Sequence, residues 1–405
     1  MTNEVRNVPD LRFPEFEGAW ENKKLDDLGD YSKSYSFSRA VEGKGYIHHI
    51  HYGDIHSKLP SKIDNINSLP TITENKDFNY LQKGDIVFAD ASEDYKDLGK
   101  AVLFDSNSQN VIAGLHTHVF RVNNQIVSEF LINYTKTLRY YKFIKRQGTG
   151  ISVLGISKKN LSNFNLGLPE YNEQKKIGDF FSKLDRQIEL EEQKLEKLEE
   201  QKKGYMQKLF SQEIRFKDNK GNNYPDWKIV EIGDILEERT ERSGEGDMLS
   251  VTINNGIIKF DEIDRKDNSS KDKSNYRKVY KDDIAYNSMR MWQGASGKSE
   301  YEGIVSPAYT VTIPSENINP DFIAYYFKTH KMIHKFKINS QGLTSDTWNL
   351  KYRQLKDIKL NLCSKEEQNK IANLLIMYDK LINKQKHKLE ILKTNKKGFL
   401  QKMFS

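Results

Sequence analysis

Apolar side chains recur at spacings of three and four along two stretches of the chain. In residues 173–211 they fall at Ile177, Phe181, Leu184, Ile188, Leu195, Leu198, Tyr205 and Leu209. In residues 367–405 they fall at Ile371, Leu375, Tyr378, Ile382, Leu389, Leu392, Phe399 and Met403. This is the seam of a long helix packed on another helix. The two stretches, beginning EQKKIGDFF and EQNKIANLL, are copies of one element, with roughly 17 of about 39 positions identical at constant offset. Both seams are interrupted at the same steps, by Glu191 and Lys202 in the first copy and Gln385 and Lys396 in the second. Polar seam residues cost stability but fix register. A helix of about 39 residues rises about 58 Å. Two copies in one chain predict an antiparallel coiled coil, with a homodimerising stalk as the alternative. Gly204 and Gly398, at matching positions, predict a kink or a close helix approach.

The repeat extends more weakly into the regions before each helix. Trp20 followed by ENKKLDDLGDY matches Trp227 followed by KIVEIGDILEE, and NYLQKGDIVFAD (79–90) matches NYRKVYKDDIAYNS (275–288). The second pair reads as a turn leading into a buried strand. VIAGLHTHVFRV (111–122) and GIVSPAYTVTIP (303–314) alternate as strands, and residues 128–148 and 319–342 read as amphipathic helices ending near Gly148 and Gly342. The predicted class is α+β, with two mixed α/β domains in a pseudo-twofold arrangement, separated by two long helices forming an antiparallel coiled coil. The predicted boundaries are 1–168 and 214–362 for the domains and 169–213 and 363–405 for the helical elements.

Composition narrows the class. At 405 residues the chain exceeds one ordinary core, and each half of about 200 residues is large enough to bury its own. Hydrophobic residues make up 37% and charged residues 30%, as expected when two long helices are wet over most of their circumference. The net charge of +7 permits a nucleic-acid or acidic-protein partner without demanding one. Its distribution is uneven: the first repeated helix carries about nine acids and nine bases, the second about nine lysines and three acids, Glu367, Asp379 and Glu390. A single cysteine, Cys363, excludes an internal disulfide framework and fits a reducing cytoplasm. The start MTNEVRNVPD has no apolar core of a signal peptide, and no run reaches the ~18 apolar residues of a membrane span, so no membrane association is expected.

No catalytic constellation is found. Gly297-Lys298-Ser299 ends like a phosphate loop, but Trp292 stands where the first glycine must be. There is no dinucleotide-binding glycine turn, no zinc-protease helix and no cysteine pair for zinc. His48, His49, His51 and His56 cluster, and alternation puts His49 and His51 on one strand face, yet no carboxylate is identifiable to orient a metal-bound ring, so no metal is expected.

The loops that the repeat does not share favour nucleic acid instead. In the second half, Arg239, Arg242, Arg290 and Gln293 offer donors able to pair with base edges, and Trp292 adds a flat side chain. Asn254, Asn255, Asn287, Thr344 and Ser345 complete that set. In the first half the candidates are His48, His51, Tyr52, His56 and Lys58, then Ser92, Tyr95, Lys96 and Thr149. Different loops on a shared frame are what two domains addressing different targets require.

The order LRFPEFEGAW, NYLQKGDIVFA, LGLPEYNEQKKIGDFFSKLDRQI, then IRFKDNKGNNYPDW, SMRMWQGASG, IVSPAYTV and EEQNKIANLLIMYDKLI resembles the specificity subunits of type I restriction-modification systems over nearly the whole chain. The resemblance implies that 1–168 and 214–362 are target-recognition domains, each reading half of a bipartite, asymmetric site in double-stranded DNA. It implies a non-catalytic subunit that binds no cofactor. Two methyltransferase subunits would supply S-adenosylmethionine chemistry, and restriction/translocase subunits would join them. For Gln174, Ile177, Leu184, Asp185, Ile188 and Leu195, and for Gln368, Ile371, Asp379, Ile382 and Leu389, it implies a role in the coiled coil and in methyltransferase docking. A self-contained DNA-modifying enzyme and a coiled-coil protein adaptor remain the alternatives.

Overall fold

Ile86, Val87, Phe88 and Ala89, bounded by turns in the sequence, form a wholly buried strand in a computed structural model that describes residues 8–74, 76–262 and 272–405. The first seven residues of the opening segment lie outside that range. The chain divides into two compact units: the chain up to Glu192 together with His387–Ser405, and Gln193–Lys386. Each therefore holds a stretch of both long helices.

In the first unit, Ile86–Ala89 lies between Thr117–Val122 and Ala101–Phe104 in a five-stranded sheet, with Gly29–Ser32 and Lys62–Ile63 at the edges. In the second, Ile284–Asn287 lies between Tyr309–Pro314 and Ser296–Lys298, with Leu236–Glu238 at one edge. The registers correspond, Ile86 opposite Phe120 and Ile284 opposite Thr312. A shorter ladder precedes each long helix: Glu21–Lys24 pairs with Asn165–Leu168, and Lys228–Glu231 with Lys359–Leu362.

Two sequence expectations change in detail. The segments 111–122 and 303–314 are each two strands, Val111–Ala113 with Thr117–Val122 and Gly303–Val305 with Tyr309–Pro314. Residues 128–148 and 319–342 each form two helices, Ser128–Tyr134 with Leu138–Gln147 and Pro320–Phe327 with His330–Asn339. Thr137 and Thr329 start the second helix of each pair by accepting from the amides of Tyr140 and Met332, a capping signal hidden inside an apolar-periodic run.

The long helices run Tyr171–Phe210 and Lys365–Met403. Within the first unit they are antiparallel: Glu192 meets Lys393 at 2.6 Å, Glu191 meets Lys388, and Asp185 meets Lys396. Within the second unit Glu199 meets Lys386 at 2.9 Å and Lys202 meets Asp379 at 2.6 Å, again with falling numbers on one helix against rising numbers on the other. The seam lysines Lys202 and Lys396 are thus used in the same way in each unit. Helix continues through Gly204 and Gly398, and a Cβ at either would meet open space, so the expected close approach is not there.

Each helix ends in an aromatic plug. Phe404 seats among Tyr134, Phe130 and Trp20 at ring distances of 5.1, 5.3 and 6.4 Å. Phe210 stacks on Tyr326 at 4.7 Å and lies tilted against Phe322 at 5.3 Å. The signature at each helix start is equally structural. Glu173, fully buried, takes two bonds from Arg12 (2.7 and 2.6 Å), and Glu367, also fully buried, takes two from Arg215 (3.1 and 2.8 Å) and one from Trp227 (3.2 Å). Gln174 accepts from the amide of Val127 and donates to the carbonyls of Pro169 and Gln125. Gln368 repeats the clamp on Asn319, Cys363 and Asn317.

Candidate nucleic-acid interface

The central strand of the second unit delivers Asn287 to one end of the sheet, where a tight turn follows. The carbonyl of Asn287 accepts from the amide of Arg290, and that of Arg290 accepts from the amide of Gln293. Buried Met291 anchors the turn from below, and Gly294 closes it at φ +85°, a conformation that favours glycine. Trp292 is pinned by its indole N–H to the carbonyl of Met289 at 3.0 Å. A second loop, between strands Leu249–Thr252 and Gly256–Lys259, brings Asn254 and Asn255 alongside. Lys328 ties the two loops by donating to the carbonyls of Ile253 (2.7 Å) and Gly294 (2.5 Å). Burial lowers its ammonium pKa to about 8.

The result is an open cleft of about 790 Å³ lined by Asn254, Asn255, Asn287, Arg290, Trp292, Gln293 and Ser345, with Thr252, Ser306, Tyr309 and Asp346 beside them. Seven candidates separated by up to 91 residues in sequence therefore share one polar surface rich in amide and guanidinium donors. Arg242 and Thr344 are exposed but do not line it, and Arg242 holds Asn275 at 2.7 Å.

Arg239 is a correction. Its guanidinium makes a two-bond pair with buried Asp283 (2.8 and 2.9 Å) and lies over the Tyr280 ring, so its fork is committed inside the domain. The first unit has the same device with the arginine on the neighbouring strand: Arg121 makes two bonds of 2.8 Å to buried Asp85.

The first unit's candidates fall into two groups. His51 caps the helix Tyr52–Ser57 by accepting from the amide of Gly53, and its ring lies 4.6 Å from that of Tyr52. Tyr52 also meets His56 and His116 edge-on. His48 donates to the carbonyl of Leu69, and Lys58 sits 3.4 Å from Asp54. His49 is fully buried with Nε2 3.2 Å from Glu42 and its ring 6.2 Å from that of His51, on the shared face that alternation predicts. Burial lowers the pKa of His49, His51 and His56, which favours the neutral rings. Among the described residues no group of three or more His, Cys, Asp or Glu is placed to hold a metal.

The other group is the loop after Ala91–Ser92, with Ser92 buried, Tyr95 half-buried and Lys96 exposed, beside exposed Thr149. Asp90, missed in the sequence, links the groups, since it lies 3.2 Å from His116 and its carbonyl accepts from the amide of Ile156. Only the register, which sets Ala89 level with Asn287, singles it out.

The helix candidates sit differently from what docking needs. Gln174, Ile177, Gln368 and Ile371 are at most 1% exposed, so a partner cannot reach them in the folded chain. Ile188, Ile382 and Leu389 are buried and Leu184 and Leu195 half-buried along the helix seam, while Asp185 and Asp379 hold the seam lysines. Among the described residues no helix is long and apolar enough to cross a membrane.

Two like frames carrying unlike polar loops define a duplicated recognition scaffold. The family described as "Type I restriction modification DNA specificity domain" matches residues 17–200 and again 224–393, and the chain belongs to that family. A Methanocaldococcus jannaschii protein named as the type I restriction enzyme MjaX specificity subunit is 26% identical over 418 residues, covering 96% of this chain and 94% of that one. The type I restriction enzyme HindI specificity subunit of Haemophilus influenzae is 28% identical over 181 residues, 43% of this chain and 37% of that one. In fold, the chain is similar to the type I restriction-modification S subunit from M. genitalium, with TM-score 0.60 at 16% identity over 98% of this chain and 99% of that one. A chain from a solved type I restriction-modification assembly gives TM-score 0.52 at 16% identity, covering 95% and 97%.

Proposed function

We propose that this chain is the DNA-specificity subunit of a type I restriction-modification complex. The domains 1–168 and 214–362 each read one half of a bipartite, asymmetric site in double-stranded DNA, and the segments 169–213 and 363–405 act as the spacer between them. The chain does no chemistry on DNA. Two methyltransferase subunits, which bind S-adenosylmethionine, methylate adenine in the site, and restriction/translocase subunits join the same frame. The setting is the cytoplasm, in keeping with a single buried cysteine.

The observation that carries this reading is the contrast between frame and loops. The central sheet registers, the Arg–Glu and Gln clamps and the aromatic plugs recur at matching positions. Yet the same end of the sheet carries asparagine, arginine and tryptophan in one unit and histidine, tyrosine and lysine in the other. Asn287, Arg290 and Gln293 present the donor sets that pair with purine edges, whereas the first unit offers mainly ring nitrogens and hydroxyls. Unlike readers on like frames specify an asymmetric site.

The test is to co-express the chain with its methyltransferase partner and map methylated adenines in genomic DNA. The reading requires one bipartite motif with a fixed unspecified gap. Methyl transfer by the chain alone would contradict it.

A further inference from the structure

Among the described residues, one large apolar side chain in each unit is left wholly in water. Ile151 and Leu343 are both 101% exposed, and they occupy matching places. Each follows a glycine in the left-handed region, Gly150 at φ +127° and Gly342 at φ +147°. A Cβ at either glycine would lie 2.0 Å from the carbonyl oxygen of Val153 or 2.6 Å from that of Thr347. Each glycine opens a narrow hairpin closed by a two-bond bridge, Thr149 with Gly155 and Gln341 with Asn349. A lone exposed aliphatic residue is ordinary. An aliphatic side chain held directly after the pinning glycine in both hairpins, in loops that differ in length and share no other sequence, needs a cause.

Both hairpins border the candidate reading loops. The first pairs directly with Ala91–Ser92, and the second lines the cleft of Arg290 through Ser345 and sets Trp348 edge-on to Trp292 at 5.2 Å. Each also emerges from a basic helix without a single acid. Leu138–Gln147 carries Arg139, Lys142, Lys145 and Arg146, and His330–Asn339 carries three lysines and two histidines. Lys145, Arg146 and Lys337, in the turn nearest the hairpin, are exposed. That charge fits the phosphate backbone beside the hairpin.

Resting on the specificity-subunit reading, we propose that Ile151 and Leu343 are wedges that enter the two DNA half-sites and lean on the base stack, each loosening one step while the basic helix behind it grips phosphates. Apolar side chains inserted between base steps bend or open DNA in this way. Such a wedge contributes affinity at a position where no hydrogen bond reads the sequence.

The test uses the complex assembled with its methyltransferase subunits, on a duplex carrying the mapped site. 2-Aminopurine replaces the purines one at a time, sparing the methylated adenine. Binding of the unsubstituted complex brightens one step in each half-site. Leu343→Ser abolishes that signal in one half-site only and weakens binding roughly tenfold or more. Ile151→Ser does the same in the other half-site, and Leu343→Met keeps both signals. A specific complex whose signal and affinity are indifferent to Leu343→Ser overturns the wedge alone, as does failure of Leu343→Ser to assemble with methyltransferase in the absence of DNA. A complex with no sequence preference overturns the specificity reading and the wedge together.

Discussion

The ammonium of Lys202 lies 2.6 Å from the carboxylate of Asp379, which also accepts from the hydroxyl of Tyr325 at 2.5 Å. Lys396 and Asp185 repeat the pair in the other unit. Asp185 and Asp379 are the matching aspartates of the two helix copies, and Lys202 and Lys396 are the residues that interrupt the two apolar seams. Replacing Lys202 by Met leaves the half-buried Asp379 carboxylate with the Tyr325 hydroxyl alone, and replacing Asp379 by Leu strands an ammonium. In a double-mutant cycle each single change costs more than the pair changed together, with a coupling of about 1 kcal/mol, measured by chemical denaturation.

Phe404→Ala empties the Trp20–Phe130–Tyr134 socket, and Phe210→Ala empties the socket of Phe322 and Tyr326. Each should cost about 3–5 kcal/mol, because a rigid aromatic socket cannot collapse around the void. Hydrogen exchange assigns the loss: Phe404→Ala raises exchange first in the unit containing Trp20, Phe210→Ala in the other. Equal loosening of both units by either change would contradict the plug assignment.

Arg290 and Arg239 separate reading from folding. Arg290→Ala should relax specificity in one half-site by about 1–3 kcal/mol per affected base pair and leave thermal unfolding nearly unchanged. Arg239→Ala leaves buried Asp283 unpaired, so unfolding should fall by about 3–5 kcal/mol. Calorimetry and methylation mapping on the two variants test both halves of the statement.

Acid should weaken the first unit. Burial pushes His49, His51 and His56 below their ordinary pKa, so between the folded values and about 6.5 the unfolded chain binds more protons than the folded chain. Their neutral burial is fully compatible with folding above about pH 6.5, and stability is lost as pH falls below it. Hydrogen exchange at pH 7.5 and 5.5 should show this loss in the unit holding these histidines, and His49→Phe should flatten it.

Periodicity and internal repetition made much of the frame legible. The long helices lie within two residues of the stretches their seams mark, because a three-four apolar pattern sustained over ten turns has no competing reading. The break at Thr137 and Thr329 was not legible, since the apolar period runs through it and only the cap chemistry marks it. Among the candidates, those in the second half largely converge on one cleft, because Asn287, Arg290 and Gln293 sit on a single strand and turn. Arg239 shows the limit: its partner Asp283 is 44 residues away, and no local pattern distinguishes a guanidinium aimed at solvent from one clamped to a buried carboxylate. Gln174 and Gln368 show it again, since a signature repeated for recognition and one repeated for a loop clamp look alike in sequence.

The central claim is that the two units read separate half-sites on a common spacer. Its most direct measurement is methylation mapping of a complex in which residues 214–362 are replaced by the matching segment of a relative with a known, different site. The account predicts that one half-site changes to the relative's sequence while the other half-site and the gap stay as they were. A change in both half-sites, or in neither, would contradict it.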